Sequence, residues 1–296
     1  MTAIEARPFG GPEGLEAMKA VVRLARAEAP LAGYWHPGEL DWWFSYGPDH
    51  RPLTTLWFDG DGPASWVVVN EPARAADSAV RPDLRGGPVE EAVIAHAEQR
   101  LGPGAVTLFA TAADEDESRR VLLAAQGYER TSAFLKAFVI SPAGAAADVP
   151  VLPSRFRLLD AMTDDWVAER AECHHRAFDP SIMTPERYTV FRHAPGYDAE
   201  LDVAVVTEDG RVAAYAMAWA DTLSRTGQLE PVGTRPHFWR RGLGRVACRE
   251  AVRRLARQGV ETVGVNADAA NAGSIAFYES CGFRRATTID RWVRPG

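Results

Sequence analysis

In the second half of the chain, some segments space their apolar residues as a strand does and others as a helix does. The two kinds of segment follow one another along the chain. Residues 203–221 form two apolar runs around Glu-Asp-Gly, which predicts a β-hairpin. Residues 241–259 place apolar side chains on one helical face, and Gly259 is typical of a helix end. The other predicted elements are a strand at 156–159, a helix at 163–178 with Thr163 as N-cap, an extended segment at 227–234 with a bulge at Pro231, a strand at 261–268, a helix within 271–283 and a final strand pair in 283–295. This alternation favours an α/β fold.

A segment without periodicity divides the chain near its middle. Residues 141–154 are rich in Pro, Ala and Gly, as linkers are. We therefore predict a first domain at 1–142, a linker at 143–153 and a second domain at 154–296.

The two halves also resemble each other. Aligning Pro82 on Pro236 gives an offset of 154 residues, and aligning Gly127 on Gly282 gives 155. Because two separate landmarks agree within one residue, a duplicated domain explains the pattern better than chance.

Composition excludes several classes of function. The chain has 296 residues, 46% of them hydrophobic, and a net charge of −7. This balance suits a cationic substrate or an ordinary soluble protein, and it gives no basic face for nucleic acid. No apolar run is long enough to span a membrane, and the three cysteines form no zinc ligand set. We expect a cytoplasmic monomer or homodimer without a metal.

The stretch Trp239–Arg245 carries the first candidate chemistry. It follows an extended segment and opens a helix, and its two glycines allow several N–H groups to converge on one point. Arginines in and beside the loop can add charge-assisted contacts to a pyrophosphate. The alternative is a turn softened by glycine that carries surface arginines.

A second candidate lies in the helix predicted within residues 271–283. Asn271, Ser274 and Tyr278 share one helical face, and the first and last are roughly 10 Å apart along the axis. This row can follow an extended, amide-bearing ligand and place an acid at its end. The alternative is that Asn271 caps the helix and Tyr278 is a core aromatic residue.

Both segments, in this order and spacing, resemble the GNAT acetyltransferase superfamily. The loop is similar to the family's acyl-CoA pyrophosphate loop, and residues 271–283 are similar to its NxxAxxxYExxGF segment. The resemblance is good over 154–296 and weaker over 1–142. It implies an α/β fold with two tandem GNAT-like domains, each a mixed central sheet flanked by helices. Trp239 departs from the family, which often has Gln or Arg there, and we expect altered packing around it.

The resemblance also implies residue roles. The central strand would pair with the pantetheine arm of acetyl-CoA, loop N–H groups would hold the pyrophosphate, and the later helix would face the pantetheine. Tyr278 would lie near the sulfur, where a phenol of pKa about 10 can protonate a leaving thiolate. The implied cofactor-binding residues are Val232, Gly233, Thr234, Arg240, Arg241, Gly242, Leu243, Gly244, Arg245, Asn271 and Ser274.

A base must remove a proton from an amine acceptor. Glu230 is the candidate, directly or through a water, and its alternative is a solvated or structural strand glutamate. His174 and His175 could contact the acceptor, although histidines at a helix end are more often structural.

The first half lacks the corresponding chemistry. Pro88 takes the position of the second loop glycine and has no N–H. Asp116 stands in place of the asparagine and Leu123 in place of the tyrosine. We interpret this half as a degenerate copy that supports the second domain or shapes its acceptor cleft, and expect Trp42 and Trp43 to pack in the core or to line a site.

The sequence therefore predicts an acyl-CoA-dependent N-acyltransferase that moves acetyl from acetyl-CoA to a primary amine of a small molecule. The alternative is a non-catalytic acyl-CoA-binding or regulatory protein. Tyr278 favours the enzyme, because a binder needs no acid at the sulfur.

Overall fold

The computed structural model describes residues 4–30, 35–46, 53–145 and 149–296. The strands are β1 (Glu5–Pro8), β2 (Thr54–Asp59), β3 (Gly62–Asn70), β4 (Ala75–Val80), β5 (Val106–Thr111), β6 (Glu129–Ile140), β7 (Phe156–Leu158), β8 (Asp202–Thr207), β9 (Val212–Asp221), β10 (Thr226–Thr234), β11 (Thr262–Asp268) and β12 (Arg284–Arg294). The helices are α1 (Pro12–Glu28), α2 (Pro37–Tyr46), α3 (Pro88–Leu101), α4 (Glu117–Ala125), α5 (Pro142–Ala145), α6 (Val167–Ala177), α7 (Pro185–Phe191), α8 (Leu243–Arg257) and α9 (Ala272–Ser280).

The strands of the described ranges join into one sheet in the order β1-β2-β3-β4-β5-β12-β6-β11-β10-β9-β8-β7. Within it, β4 pairs with β5 and β10 pairs with β11 in parallel, and every other neighbouring pair is antiparallel. Reading inward from either edge therefore gives the same succession of strand directions.

The two halves exchange their last strands at the centre of the sheet. Strand β12 lies between β5 and β6, with Ile289 opposite both Thr111 and Leu135. Strand β6 in turn lies between β11 and β12, with Val265 opposite Phe138. Neither half completes its part of the sheet alone.

The repeat seen in the sequence has matching backbone in the two halves. Pro82 and Pro236 each begin a short 3₁₀ turn ahead of a long helix. Gly127 and Gly282 have φ values of +82° and +88° after the later helix, a left-handed conformation that favours glycine. The predicted fold of two tandem α/β domains is confirmed.

Each half has its own hydrophobic core, and both cores draw on the other half. Trp292 of β12 is buried among first-half residues of α3, α4 and β5. Trp42 of α2 is buried in the second half, with its ring 4.5 Å from that of Phe191. The two halves are therefore packed together as well as hydrogen-bonded.

Most predicted elements of the second half are present, including the hairpin and the bulge of β10 between Leu229 and Val232. The predicted final strand pair is wrong, because residues 284–294 form a single strand whose partners come from the first half. The helix predicted at 163–178 begins with a 3₁₀ turn, and the Thr163 side chain makes no capping hydrogen bond. Residues 146–148 of the predicted linker lie outside the described residues, and the domain boundaries stay predictions.

None of the helices in the described ranges has the length and apolar character that crossing a membrane requires. Within the same ranges, no group of three or more His, Cys, Asp or Glu side chains is placed to hold a metal ion.

Replacing Trp292 tests how far the first half depends on β12. We expect Trp292→Ala to lower the free energy of unfolding by about 3–5 kcal/mol, because it opens a cavity in the first-half core. Urea denaturation measures this. Trp239→Ala is the matched control, since that tryptophan is 58% exposed and should cost far less. Equal losses from the two variants would contradict the shared core.

Candidate active site

Two parallel strands separate at the centre of the second half. Strands β10 and β11 pair from Thr226–Leu229 with Thr262–Val265, and the pairing ends there. Beyond this point β10 continues on β9 alone, so the edge of Val232–Thr234 that faces β11 is open. The gap exposes unpaired backbone groups to whatever enters between the strands.

This gap opens into a cleft of about 1490 Å³ that runs across both halves of the molecule. Of the residues implied by the resemblance, all but Arg241 line it. The first half also contributes lining residues, among them Trp35, Glu39, Trp43, Phe44 and Asp77.

The loop before α8 presents a positive helix end to the cleft. Gly242 is the N-cap of α8 with φ +77°, and Arg240 also has a positive φ of +62°. The first N–H groups of α8 have no acceptor inside the helix, and the helix dipole makes this end positive. Within the described residues, no carboxylate pairs with Arg240, Arg241 or Arg245. The loop therefore suits the pyrophosphate of acetyl-CoA.

Gly244 is held close to the central strand. A Cβ at this position would lie 2.7 Å from the Oγ1 of Thr234 and 3.3 Å from the ring of Phe277. Trp239, the departure from the family pattern, is exposed and donates its indole N–H to the carbonyl of Thr234 at 2.8 Å. It thus ties the loop to β10.

Asn271 and Ser274 lie along the cleft at the start of α9. The Oδ1 of Asn271 accepts the backbone N–H of Ser274 at 3.0 Å, so this asparagine does cap its helix. Its amide NH₂ group is not used in that bond. Capping and a contact with the pantetheine are therefore compatible.

Tyr278 lies two turns further along α9, with its ring mostly buried and packed near Phe138, Phe277 and Phe283. Tyr278 lines the cleft, and its hydroxyl makes no hydrogen bond with any described residue. Burial raises the pKa of Tyr278 well above its ordinary value. The phenol is therefore protonated at neutral pH, as a proton donor must be.

Glu230 directly follows the last parallel pair of β10, at the bulge. Glu230 lines the cleft, and no hydrogen bond to its carboxylate is made within the described ranges. Burial, the larger cause, and the charge of Glu39, the smaller one, together raise the pKa of Glu230 to about 8. A carboxylate with this pKa can accept a proton from an amine near neutral pH.

The sequence analysis did not single out Glu39; in its segment, only Trp42 and Trp43 were considered as site residues. In the structure, Glu39 is buried beside β10 and β11, the two active strands between which the cleft opens. Its Oε1 accepts hydrogen bonds from Nε2 of Gln228 at 2.9 Å and from Nδ2 of Asn266 at 3.4 Å. No local pattern signals this, because these contacts join residues almost 190 positions or more apart. Of the tryptophan pair, Trp42 packs in the core and Trp43 lines the cleft.

The two histidines do not join the site. His174 is buried with Nδ1 2.7 Å from the hydroxyl of Tyr215, and burial lowers its pKa to about 3. His174 is therefore a neutral core residue. His175 does not line the cleft.

Comparison with known protein families places this site in a recognised family domain. A family profile described as the acetyltransferase (GNAT) family matches residues 158–283. Residues 158–283 therefore form a GNAT-family domain. The chain is thus an N-acetyltransferase, and acetyl-CoA is the acetyl donor that GNAT acetyltransferases use.

Similar proteins agree with this family. The chain is 28% identical over 252 residues to a mycothiol acetyltransferase of Clavibacter michiganensis subsp. michiganensis, covering 79% of this chain and 81% of that protein. It is 38% identical over 82 residues to the [ribosomal protein bS18]-alanine N-acetyltransferase of Salmonella typhimurium, covering 28% of this chain and 54% of the relative. A solved tandem GNAT protein from the clavulanic acid biosynthesis pathway superposes with a TM-score of 0.67 at 15% identity, covering 99% and 98% of the two chains.

Gly244→Ala tests the loop. We expect the dissociation constant for acetyl-CoA to rise about tenfold, because the added methyl group must displace Thr234 or the loop by an overpacking cost of about 1–3 kcal/mol. Isothermal titration calorimetry measures this. Gly210→Ala is the control: it adds the same methyl group in a surface turn, where nothing lies within 4 Å of the added Cβ, and should leave the affinity unchanged. Unaltered affinity in Gly244→Ala would exclude this loop as the cofactor site.

Proposed function

We propose that this GNAT protein transfers the acetyl group of acetyl-CoA to a primary amine of a small molecule, at a single active site in its second half. The observation that carries the proposal is the meeting of Glu230 and Tyr278 in one cleft, where β10 and β11 separate. One group suits a base and the other an acid. The pyrophosphate loop lies in the same cleft.

The strand and loop backbone would hold the cofactor along this cleft. Open-edge groups of Val232–Thr234 would pair with the pantetheine amides, as a neighbouring strand would. Loop N–H groups, with Arg240, Arg241 and Arg245, would hold the pyrophosphate. Asn271 and Ser274 would face the pantetheine arm.

The acid and base then account for the proton transfers. Glu230 would accept a proton from the ammonium of the acceptor, directly or through a water, which frees the nitrogen lone pair to attack the thioester carbon. Backbone N–H groups of β10 would stabilise the oxyanion that forms. As the carbon–sulfur bond breaks, Tyr278 would give its proton to the thiolate, which leaves free CoA and an acylated nitrogen that still carries one extra proton. The phenolate would take that proton, directly or through a water, which gives the amide and restores Tyr278. Solvent would then take the proton from Glu230.

The first half has the same strand separation, but a side chain fills it. Strands β4 and β5 pair only at Ala75–Ala76 and then part. Arg119 spans the gap: Nε donates to the carbonyl of Phe109 at 2.8 Å, Nη2 donates to Ser78 at 3.0 Å, and the guanidinium pairs with Glu90. The repeat offset of 155 places Arg119 at the position of Ser274. A pantetheine arm would have to displace this buried network.

The sequence differences of the first half point the same way. Pro88 begins α3 and offers no N–H, Asp116 binds the backbone N–H of Thr111 at 2.6 Å, and Leu123 is fully buried. The first-half residues at the positions of the loop glycine, the asparagine and the tyrosine thus have structural roles and do not offer groups to a cofactor.

The acetyl transfer itself is tested by following free thiol released from acetyl-CoA. The acceptors are 2-phenylethylamine, glucosamine and a peptide that begins with alanine. We expect at least one to be acetylated, and Tyr278→Phe to lower kcat on it by roughly 10²-fold with acetyl-CoA affinity little changed. Tyr128→Phe is the control, since its hydroxyl bonds Glu98 in the first half. Wild-type kcat in Tyr278→Phe would remove the acid assignment, and no acetylation of any amine would count against the proposed function.

Calorimetric titration with acetyl-CoA tests the single site. We expect one acetyl-CoA per chain, because Arg119 closes the first-half gap. The active fraction of the protein is fixed independently by burst titration or by quantitative amino-acid analysis of the folded peak. A stoichiometry near two with similar affinities would show that the first half binds the cofactor by other residues.

A further inference from the structure

Helix α2 of the first half is seated directly on the active strands of the second half. Gly38 lies so close to β9 that a Cβ there would be 2.3 Å from the Cβ of Trp219. Trp42 fixes the other end of the contact by packing against Phe191. The position of the residue between them, Glu39, is therefore set by tight packing rather than by a free side chain.

Glu39 is a buried carboxylate, 5% exposed, at the wall of the cleft. Its oxygens accept hydrogen bonds from Gln228 on β10, Asn266 on β11 and the backbone N–H of His36 at 2.7 Å. All three donors are neutral, and no described cation forms an ion pair with it. Arg26, whose charge acts on Glu39, donates its hydrogen bonds to the carbonyls of Trp35 and Pro30 instead.

Glu39 and Glu230 thus lie near each other, and no described cation forms an ion pair with either. Gln228, which binds Glu39, is two residues before Glu230 on the same strand. Two buried carboxylates without a counter-ion are unfavourable together, and a cation placed between them relieves both the desolvation and the repulsion. Trp35 and Trp43 line the same cleft, and their aromatic rings suit an apolar body behind a charged group.

We propose that Glu39 is the second carboxylate of the acceptor site, and that it binds the acceptor ammonium together with Glu230. The assignment rests on the proposed function and adds a residue of the first half to it. The acceptor then enters as a cation, gives one proton to Glu230 and keeps its contact with Glu39 until it attacks. The first half, which has its own cofactor gap closed, takes part in the reaction by selecting the acceptor.

Glu39→Gln tests this assignment, because it removes the charge and keeps the shape. Kinetics are measured with whichever of 2-phenylethylamine, glucosamine and the alanine peptide the wild type acetylates. We expect the KM for the amine to rise at least about tenfold, with the dissociation constant for acetyl-CoA within twofold of wild type. Glu90→Gln is the matched control: it removes another buried glutamate of the first half, 1% exposed, that lies outside the cleft, and should leave the amine KM unchanged.

The pH profile separates binding of the ammonium from a purely structural role. Glu39 raises the pKa of Glu230, so losing its charge lowers that pKa, and the acidic limb of kcat/KM should move to lower pH. A shape change alone would not move it. The titratable and charged groups that act on the pair from the elements packed around it are Arg26, His36, Tyr215 and Tyr278, and none of them is altered in the variant.

Glu39→Asp keeps the charge and is the second variant, decisive should Glu39→Gln not fold. Its acidic limb should stay at the wild-type pH while the amine KM rises less than in Glu39→Gln. Two results for Glu39→Gln would overturn the assignment: an amine KM and an acidic limb that both stay at their wild-type values, or equal losses of affinity for the amine and for acetyl-CoA. In either case, acetylation by the wild type would still uphold the proposed function. A wild type that acetylates no amine would overturn the proposed function, and this assignment with it.

Discussion

The exchange of β6 and β12 is the constraint on which the rest of the molecule depends. Each half supplies five strands of its own on one side of the centre and then needs the other half's last strand to continue. The exchange sets the two halves in one sheet, related as if by a two-fold rotation, with their strand separations facing a common cleft. A loosely linked pair of domains could not hold α2 against the active strands so closely.

Both halves have a parallel strand pair that separates, but the gap between the strands differs in the two halves. In each, a carboxylate directly follows the last parallel pair, Asp77 on β4 and Glu230 on β10, and burial raises the pKa of Asp77 to about 7. In one half the neighbouring gap stays open, and in the other Arg119 bridges it. A single buried guanidinium, with its three partners, thus makes the first half differ from the proposed binding half without any change of fold.

Local signals in the sequence were enough for most of the second half's elements, because glycines, Pro231 and apolar periodicity act over a few residues. Spacing singled out the row from Asn271 to Tyr278 and the loop, and the resemblance to the GNAT family gave both their expected roles. What could not be predicted depends on contacts across the chain. Strand β12 was predicted as a strand pair because its true partners lie 140 or more residues earlier. Glu39 was not singled out because its partners Gln228 and Asn266 lie 189 and 227 residues later in the chain. Strand exchange and shared sites leave no local pattern.

The central strand pair also has a consequence for synthesis of the protein on the ribosome. Strand β6 is complete at Ile140, but its neighbour β12 begins only at Arg284. At about 5–20 residues per second, the first half waits on the order of ten seconds with two strand edges unpaired and the pocket for Trp292 open. Such edges are templates for pairing with other chains. The nascent first half is therefore the stage at which a chaperone would have most to protect.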